Sequence, residues 1–325
     1  MTAMAPTRIP RRFLPVVATF AVFVLTFGAG SVRYEGFASG QVVANLFIDN
    51  AHLIVLAVGM TFVILTGGID LSVGSVLALS TMIAAATLQA GWPVWLSVLA
   101  VLASGSTLGL LMGLVIHHFQ VQPFIVTLAG MFLARGLCFL ISVESVSIKD
   151  PAFRAAATDT IGLGGGVVIT YAVVVALLVL AAGAYVLHLT RFGRTVYAVG
   201  GSESSARLMG LATGRAKVGV YVVSGFCSAL GGLLFGLYML SGYGLHAVGM
   251  ELDVIAAVVI GGTLLAGGVG YVAGSLVGVL VLGTVQTLIS FEGTLSSWWT
   301  KIVIGVLLLA FIALQRLIVR RGPGT

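Results

Sequence analysis

Long apolar runs, separated by short polar stretches, are the feature that most restricts how this chain can fold. They lie at residues 13–31, 51–66, 76–92, 94–116, 124–143, 167–188, 218–241, 254–266, 271–290 and 298–319. A helix needs about 20 apolar residues to cross a lipid bilayer. The sequence therefore predicts an all-α polytopic membrane protein with about ten transmembrane helices, folded as one membrane domain over residues 1–325.

The composition agrees with this fold class and excludes several others. Hydrophobic residues make up 59% of the chain and charged residues 8%, with a mean hydropathy of +1.16. A soluble domain carries about 25% charged residues, so a soluble enzyme is excluded. The positive residues form no basic run with interleaved aromatic residues, and nucleic acid is not an expected partner. The expected surroundings of the chain are a lipid bilayer.

The distribution of basic residues predicts the orientation. If the N-terminus is cytoplasmic and the ten runs alternate, eleven Lys and Arg residues are cytoplasmic, four are outside and Arg135 is embedded, which accounts for all 16. Lys and Arg collect in cytoplasmic loops, so both termini are predicted to be cytoplasmic. The first run begins with basic residues, as a signal peptide does, but it is longer than the usual apolar region of about 7–15 residues and is interpreted as a retained anchor.

Two of the runs are shorter than a membrane crossing and stop at glycine pairs. Residues 51–66 stop at Gly67-Gly68, and residues 254–266 contain one glycine pair and stop at another. The stretches that follow, "GGIDLSVGSVLAL" and "GGTLLAGGVGYVAGSLVGVL", look like counterparts in the two halves of the chain. Such segments at matching positions point to a transport pathway built from broken helices. Alternatively, the glycines only let helices pack closely.

The candidate residues of this pathway are a set of glycines, two serines and two charged residues. They are Gly67, Gly68, Asp70, Ser72, Gly74, Ser75, Arg135, Gly261, Gly262, Gly267 and Gly268.

The longest predicted cytoplasmic loop, residues 189–217, contains the signal of a short helix. Ser202 can cap it, Glu203 suits the positive end of the helix dipole, and Gly210 can end it in the left-handed conformation. So short a helix is not stable alone in water. It either docks on a partner protein or lies on the membrane. The predicted helix comprises Ser202, Glu203, Ser204, Ser205, Ala206, Arg207, Leu208, Met209 and Gly210.

Motifs of enzymes and metal sites are missing from the sequence. There is no G-x-x-x-x-G-K-[ST] phosphate loop, no H-E-x-x-H and no histidine cluster with zinc spacing. Ser224 and His246 could form an intramembrane serine–histidine pair, but no orienting acid is evident. The chain is therefore not expected to be an enzyme or to bind a metal ion.

Four stretches together resemble a known family. "VGMTFVILTGGIDLSVGS", "PFIVTLAGMFLARG", "RFGRTVYAVGGSESSARLMG" and "AVVIGGTLLAGGVG" are similar to the membrane permease subunits of ribose-type bacterial ABC importers. The resemblance covers about residues 40–316 and keeps the order of the motifs. "ESVSI", "GMELDVIA" and "FEGTLSSWWTKIVIG" look closest to the galactofuranose importers of this family.

The resemblance implies a division of labour in a bacterial inner membrane. The permease forms the sugar pathway with a second permease subunit, which is a different chain in the galactofuranose systems. ATP and Mg²⁺ bind to partner ATPase subunits, a periplasmic binding protein delivers the sugar, and this chain holds no cofactor. The resemblance implies that residues 202–210 are the coupling helix that inserts into the ATPase. Ribose, xylose or another monosaccharide remains an alternative substrate, and an ion-coupled secondary carrier an alternative machine.

Asp70 has three possible roles, since a charged group within a membrane segment usually faces a cavity or a partner. It could accept hydrogen bonds from sugar hydroxyls, pair with Arg135, or cap the helix that begins near Ser72. Pairing predicts that Asp70→Asn together with Arg135→Gln is less harmful than either change alone.

Candidate contacts on the outer side form two groups. One is predicted in the loop before the second broken segment, where it contacts the binding protein, admits sugar or is simply solvated; it comprises Tyr243, Glu251 and Asp253. The other, Trp298 and Trp299, begins the last run and also suits an interfacial aromatic belt.

Overall fold

The computed structural model describes residues 14–296 and 298–320. Ten apolar helices correspond to the ten predicted runs, and three shorter helices lie between them. The helices are α1 (Leu14–Arg33), α2 (Gly40–Leu65), α3 (Val73–Gln89), α4 (Val94–Phe119), α5 (Pro123–Ile141), α6 (Pro151–Thr158), α7 (Tyr171–Leu189), α8 (Arg191–Gly201), α9 (Glu203–Leu208), α10 (Thr213–Met239), α11 (Met250–Ile260), α12 (Val272–Glu292) and α13 (Trp298–Arg320).

The predicted fold class is confirmed. In the described part of the chain, seven helices are long and apolar enough to cross a membrane, namely α1, α2, α4, α5, α7, α10 and α12. Three further apolar helices are shorter. Helix α3 has 17 residues, α11 has 11, and the apolar part of α13 runs from Trp298 to Ala313. The protein is therefore a multi-pass helical membrane protein.

The prediction of a short segment at residues 51–66 is wrong. Helix α2 has 26 residues because it already begins at Gly40, where the side chain of Ser39 accepts a hydrogen bond from the amide of Val42. The polar residues Asp49 and Asn50, directly before the predicted segment, interrupt the apolar pattern, although Asn50 is buried. The second segment is short as predicted, although α11 ends at Ile260 rather than 266.

Helix α2 forms the centre of the molecule, with every residue from Asn50 to Leu65 buried, and it packs against α7, α10, α11 and α12. Glycines bring neighbouring helices close to each other. A Cβ at Gly59 would lie 2.8 Å from the Cβ of Cys227 on α10, and Gly105 of α4 abuts Gly225 of α10. Small residues allow this close approach where no water drives the helices together.

Two small antiparallel sheets interrupt the all-helical architecture. Strand β1 (Val146–Ser147) pairs with β4 (Ser241–Gly242), while β2 (Thr160–Gly164) pairs with β3 (Val167–Thr170). The first pair fastens the segment after α5 to the segment after α10. The start of the loop 240–249 is thereby bound to residues 146–147.

The predicted loop 189–217 is largely helical. Helix α8 begins where the side chain of Thr190 accepts a hydrogen bond from the amide of Gly193 at 3.2 Å, and it buries Val196 and Val199. Helix α9 follows after Ser202, and α8 contacts α7, α9 and α10.

Candidate translocation pathway and coupling junction

The first break in the helices lies between α2 and α3. Helix α2 ends in a motif in which the amide of Gly67 donates to Ile64 at 2.8 Å and the amide of Gly68 donates to Val63 at 3.2 Å. This paired pattern closes a helix when the residue after the cap is left-handed. Gly67 fulfils that condition with a φ of 78°.

The second break, between α11 and α12, repeats the same motif. The amide of Gly262 donates to Val259 at 3.0 Å and that of Thr263 to Val258 at 3.2 Å, while Gly262 has a φ of 95°. Gly67 and Gly262 are therefore structural counterparts. The two halves of the chain each contain a helix that ends inside the protein at a left-handed glycine.

The two breaks contact each other at the end of α8. The amide of Gly268, in the second break, donates to the carbonyl of Leu65, the last residue of α2, at 2.9 Å. Gly200 of α8 lies against both groups, and a Cβ there would overlap the Leu65 carbonyl oxygen and the Gly268 nitrogen. We name these three residues the junction.

A second contact joins α8 to the second break. The hydroxyl of Tyr197 donates to the carbonyl of Gly270 at 2.6 Å. Burial raises the pKa of Tyr197, and the neighbouring Tyr271 raises it further, so its hydroxyl keeps the proton that it donates. Helix α8 is therefore fixed to both breaks.

Helix α9 follows directly and places the residues predicted at 202–210. The Ser202 side chain accepts a hydrogen bond from the amide of Ser205 at 3.3 Å, and Gly210 is left-handed with a φ of 76°. Glu203 pairs with Lys217 of α10 at 2.5 Å. Leu208 is 90% exposed and Met209 69%, so α9 presents an uncovered apolar tip. The side chain of Ala206, by contrast, is fully buried.

Asp70 is fully buried in the first break and has only partners from its own chain. Its Oδ1 accepts from the amide of Ser72 at 2.9 Å and from the Ser72 hydroxyl at 2.6 Å, while its Oδ2 accepts from the Ser224 hydroxyl at 2.7 Å. The carboxyl group thus satisfies the backbone at the start of α3 and fastens the break to α10. Ser75 donates to the Ser72 carbonyl at 2.8 Å within the same turn.

Arg135 does not pair with Asp70 among the described residues. From α5 it donates to the carbonyls of Gly244 at 2.5 Å and His246 at 2.8 Å. It therefore holds the loop 240–249 rather than the first break.

Replacing Arg135 by glutamine is expected to loosen this loop. The change removes two hydrogen bonds from a charged donor, each worth about 1.5–3 kcal/mol, so we expect a loss of roughly 3 kcal/mol in the free energy of unfolding. Hydrogen exchange at residues 243–249 should accelerate. The matched control is Arg154→Gln, since Arg154 is exposed on α6. Equal effects of the two changes would contradict this role of Arg135.

The predicted position of Glu251 and Asp253 in a loop is wrong, because both lie in the first turn of α11. Asp253 pairs with Lys301 of α13 at 2.5 Å. A Cβ at Gly74 would lie 2.6 Å from the Glu251 Oε2, so Glu251 packs on the first turn of α3. Tyr243 does lie in the loop, edge-on to His246. Trp298 and Trp299 begin α13, and both are exposed.

Comparison with known proteins identifies the family. The model of the family described as "Branched-chain amino acid transport system / permease component" matches residues 42–312. The chain belongs to this family. No solved structure matches the permease.

Several curated permeases are similar to this one over nearly their whole length. "Inner membrane ABC transporter permease protein YjfF" of Escherichia coli is 47% identical over 94% of this chain and 93% of its own. "Fructose import permease protein FruG" of Bifidobacterium longum is 40% identical over 97% and 94%. "Ribose import permease protein RbsC" of Haemophilus influenzae is 36% identical over 93% of both chains.

The sequence did not indicate several residues that build the site of the permease. Gly200 and Tyr197 were read as parts of a loop, although the capping pattern of Thr190 could have indicated a helix there. Ser224 was considered only beside His246, whereas its hydroxyl binds Asp70. Nothing local in the sequence brings residues 154 positions apart together.

Proposed function

We propose that this permease forms the translocation pathway of a bacterial inner-membrane ABC importer for a monosaccharide, and that the sugar is galactofuranose. The curated relatives named for fructose and ribose support the substrate class. The sequence resemblance of residues 249–256 and 291–305 to galactofuranose importers supports the particular sugar.

The contacts of the two charged residues predicted for the pathway favour a neutral substrate. A zwitterion such as an amino acid needs fixed charges of both signs where it dwells, because an unpaired charge in a membrane interior is costly. Asp70 has three hydrogen-bond donors from its own chain, and Arg135 has two carbonyl acceptors. Both side chains therefore already form hydrogen bonds within the fold, and neither supplies a free charge for a substrate. A neutral sugar requires only hydrogen-bond partners.

The junction is the observation that carries the proposal. A partner that moves the exposed tip of α9 also moves α8, and Gly200 and Tyr197 pass that motion to both breaks. Two helices that end at left-handed glycines are the parts of the chain that can rearrange without unwinding a complete helix. The protein thus couples a cytoplasmic contact to two places in the pathway.

The family resemblance implies three kinds of partner. Partner ATPase subunits bind ATP and Mg²⁺ and contact α9, a periplasmic protein delivers the sugar, and a second, homologous permease completes the pathway. This chain itself carries out no chemistry. Its contribution is to convert the motion of α9 into access from one side of the membrane or the other.

Reconstitution tests the proposal. The permease is placed in proteoliposomes with its candidate ATPase, second permease and binding protein, and sugar-stimulated ATP hydrolysis is measured for galactofuranose, ribose, xylose and fructose. We expect stimulation by galactofuranose above the others. Stimulation by another sugar would correct the substrate, while uptake driven by an ion gradient without ATP would establish the alternative of a secondary carrier.

Replacing Leu208 by aspartate is expected to release the ATPase without unfolding the permease. Leu208 is 90% exposed, so its loss changes stability by less than about 0.5 kcal/mol. A charge placed in a docked apolar contact weakens binding at least about tenfold. Co-purification of the ATPase measures the effect. The control is Leu163→Asp in β2, where Leu163 is 62% exposed. Retention of the ATPase by the Leu208 variant would show that α9 does not dock there.

A further inference from the structure

A cleft of about 300 Å³ lies between the first break, the α4–α5 turn and helix α9. Gly67 and Gly68 form one side of it, Gln120 and Gln122 a second, and the ion pair of Glu203 with Lys217 a third. The junction adjoins the cleft, because Gly268 binds the carbonyl of Leu65, two residues before Gly67.

Tyr221 of α10 supplies the decisive observation. Its side chain is 2% exposed and lines the cleft, and its hydroxyl has no hydrogen-bond partner among the described residues. The hydroxyl points at Gly68, so closely that a Cβ at this position would overlap it. A buried hydroxyl without a partner is costly, and such groups in proteins usually bind water or a ligand.

The chemistry of the lining selects an uncharged ligand with several hydroxyl groups. Two amide side chains and the Tyr221 hydroxyl both donate and accept hydrogen bonds. The only lysine of the cleft already neutralises the only carboxylate, so neither an anion nor a cation finds a free counter-charge. Ile116, Val121 and Pro123 provide apolar contact for the C–H faces of a sugar ring.

We propose that this cleft, beside the first break, is an inner binding site for a monosaccharide in which the Tyr221 hydroxyl binds the sugar. This inference rests on the proposed function, since it takes the imported sugar as the ligand. A bound sugar would touch the first break and Glu203 of α9 at once. Released product would thereby act on the helix that contacts the ATPase.

Backbone geometry at Gln120 supports a binding role. It has a φ of 51°, which is unusual for a residue other than glycine, and it ends α4 at the edge of the cleft. The left-handed residue closes the C-terminus of α4 and turns the chain toward α5. Its side-chain nitrogen donates to the carbonyl of His117 at 2.5 Å, which leaves the amide oxygen to accept from a ligand.

Equilibrium dialysis of the full permease in nanodiscs, without its partners, tests the inference. The probes are radiolabelled D-galactose, D-fructose and D-ribose, each alone, with ribose 5-phosphate as the charged comparison. We expect millimolar binding of the sugar that the complete transporter imports. Tyr221→Phe should weaken this binding about three- to tenfold, the effect of one hydrogen bond. Gln122→Ala should weaken it similarly.

The matched control is Tyr185→Phe, because Tyr185 is 61% exposed on α7 and lies outside the cleft. The thermal midpoint of Tyr221→Phe should equal or exceed that of the parent protein, since the change removes an unpartnered hydroxyl. Binding that neither cleft variant weakens, no binding of a sugar that the complete transporter imports, or tighter binding of ribose 5-phosphate would overturn the inference while the proposed function stands. If no sugar stimulates the reconstituted transporter, the proposed function fails, and this inference with it.

Discussion

Gly200→Ala is expected to uncouple ATP hydrolysis from sugar uptake. The added methyl group meets two backbone atoms, the Leu65 oxygen and the Gly268 nitrogen, neither of which can rotate away as a side chain can. Overpacking costs about 1–3 kcal/mol. If this cost falls on the contact between α8 and the breaks, transport per ATP hydrolysed drops about 5–150-fold. Uptake and hydrolysis measured in the same proteoliposomes give this ratio.

The adjacent glycine provides the control for this prediction. A Cβ at Gly201 meets no atom within 4 Å, and neither glycine has a positive φ. Gly201→Ala should therefore transport normally, although it adds the same methyl group to the same helix. Equal transport by the two variants would mean that the junction does not transmit motion.

Asp70→Ala is expected to destabilise the permease by roughly 3 kcal/mol, because it leaves a buried amide and two hydroxyls without their acceptor. Asp70→Asn should cost less than about 1 kcal/mol, since the amide oxygen can still accept from Ser72 and the amide nitrogen can donate to Ser224. An SDS titration that reports the free energy of unfolding distinguishes the two variants.

This contrast separates the roles considered for Asp70. A residue that acted by its charge would lose its role in Asp70→Asn as fully as in Asp70→Ala. Ser224→Ala, which removes one of the three hydrogen bonds, should cost about 1 kcal/mol. Because Asp70 and Arg135 share no hydrogen-bond partner, Asp70→Asn and Arg135→Gln should add within about 0.5 kcal/mol, and rescue in the double variant would restore the ion-pair hypothesis.

Local sequence patterns predicted the parts of this protein that depend on local physics. Apolar runs indicate helices because the bilayer leaves the backbone no other way to satisfy its polar groups. Ser202 and Gly210 indicate the two ends of α9 because capping involves only neighbouring residues. The breaks after Leu65 and Ile260 were visible in the glycine pairs for the same reason.

Features that depend on distant residues were not predictable in this way. The polar residue Asn50 disguised the length of α2, since its burial is decided by the helices packed around it. Likewise, the partner of Asp70 was sought at Arg135 by charge, whereas the fold supplies the uncharged hydroxyl of Ser224. The sequence around Asp70 and the sequence around Ser224 each contain no signal that the two residues form a hydrogen bond.

The burial of α2 has a consequence for how the protein is made. With a mean hydropathy of 1.9, this helix is apolar enough to leave the translocation channel and enter lipid early in synthesis, before α7, α10 and α12 exist. Its segment from Asn50 to Leu65 must afterwards exchange its lipid neighbours for protein ones. A substitution in the buried part of α2 can therefore fail twice, once at membrane entry and once at packing within the chain, whereas one on the exposed side of α5 meets only the first requirement.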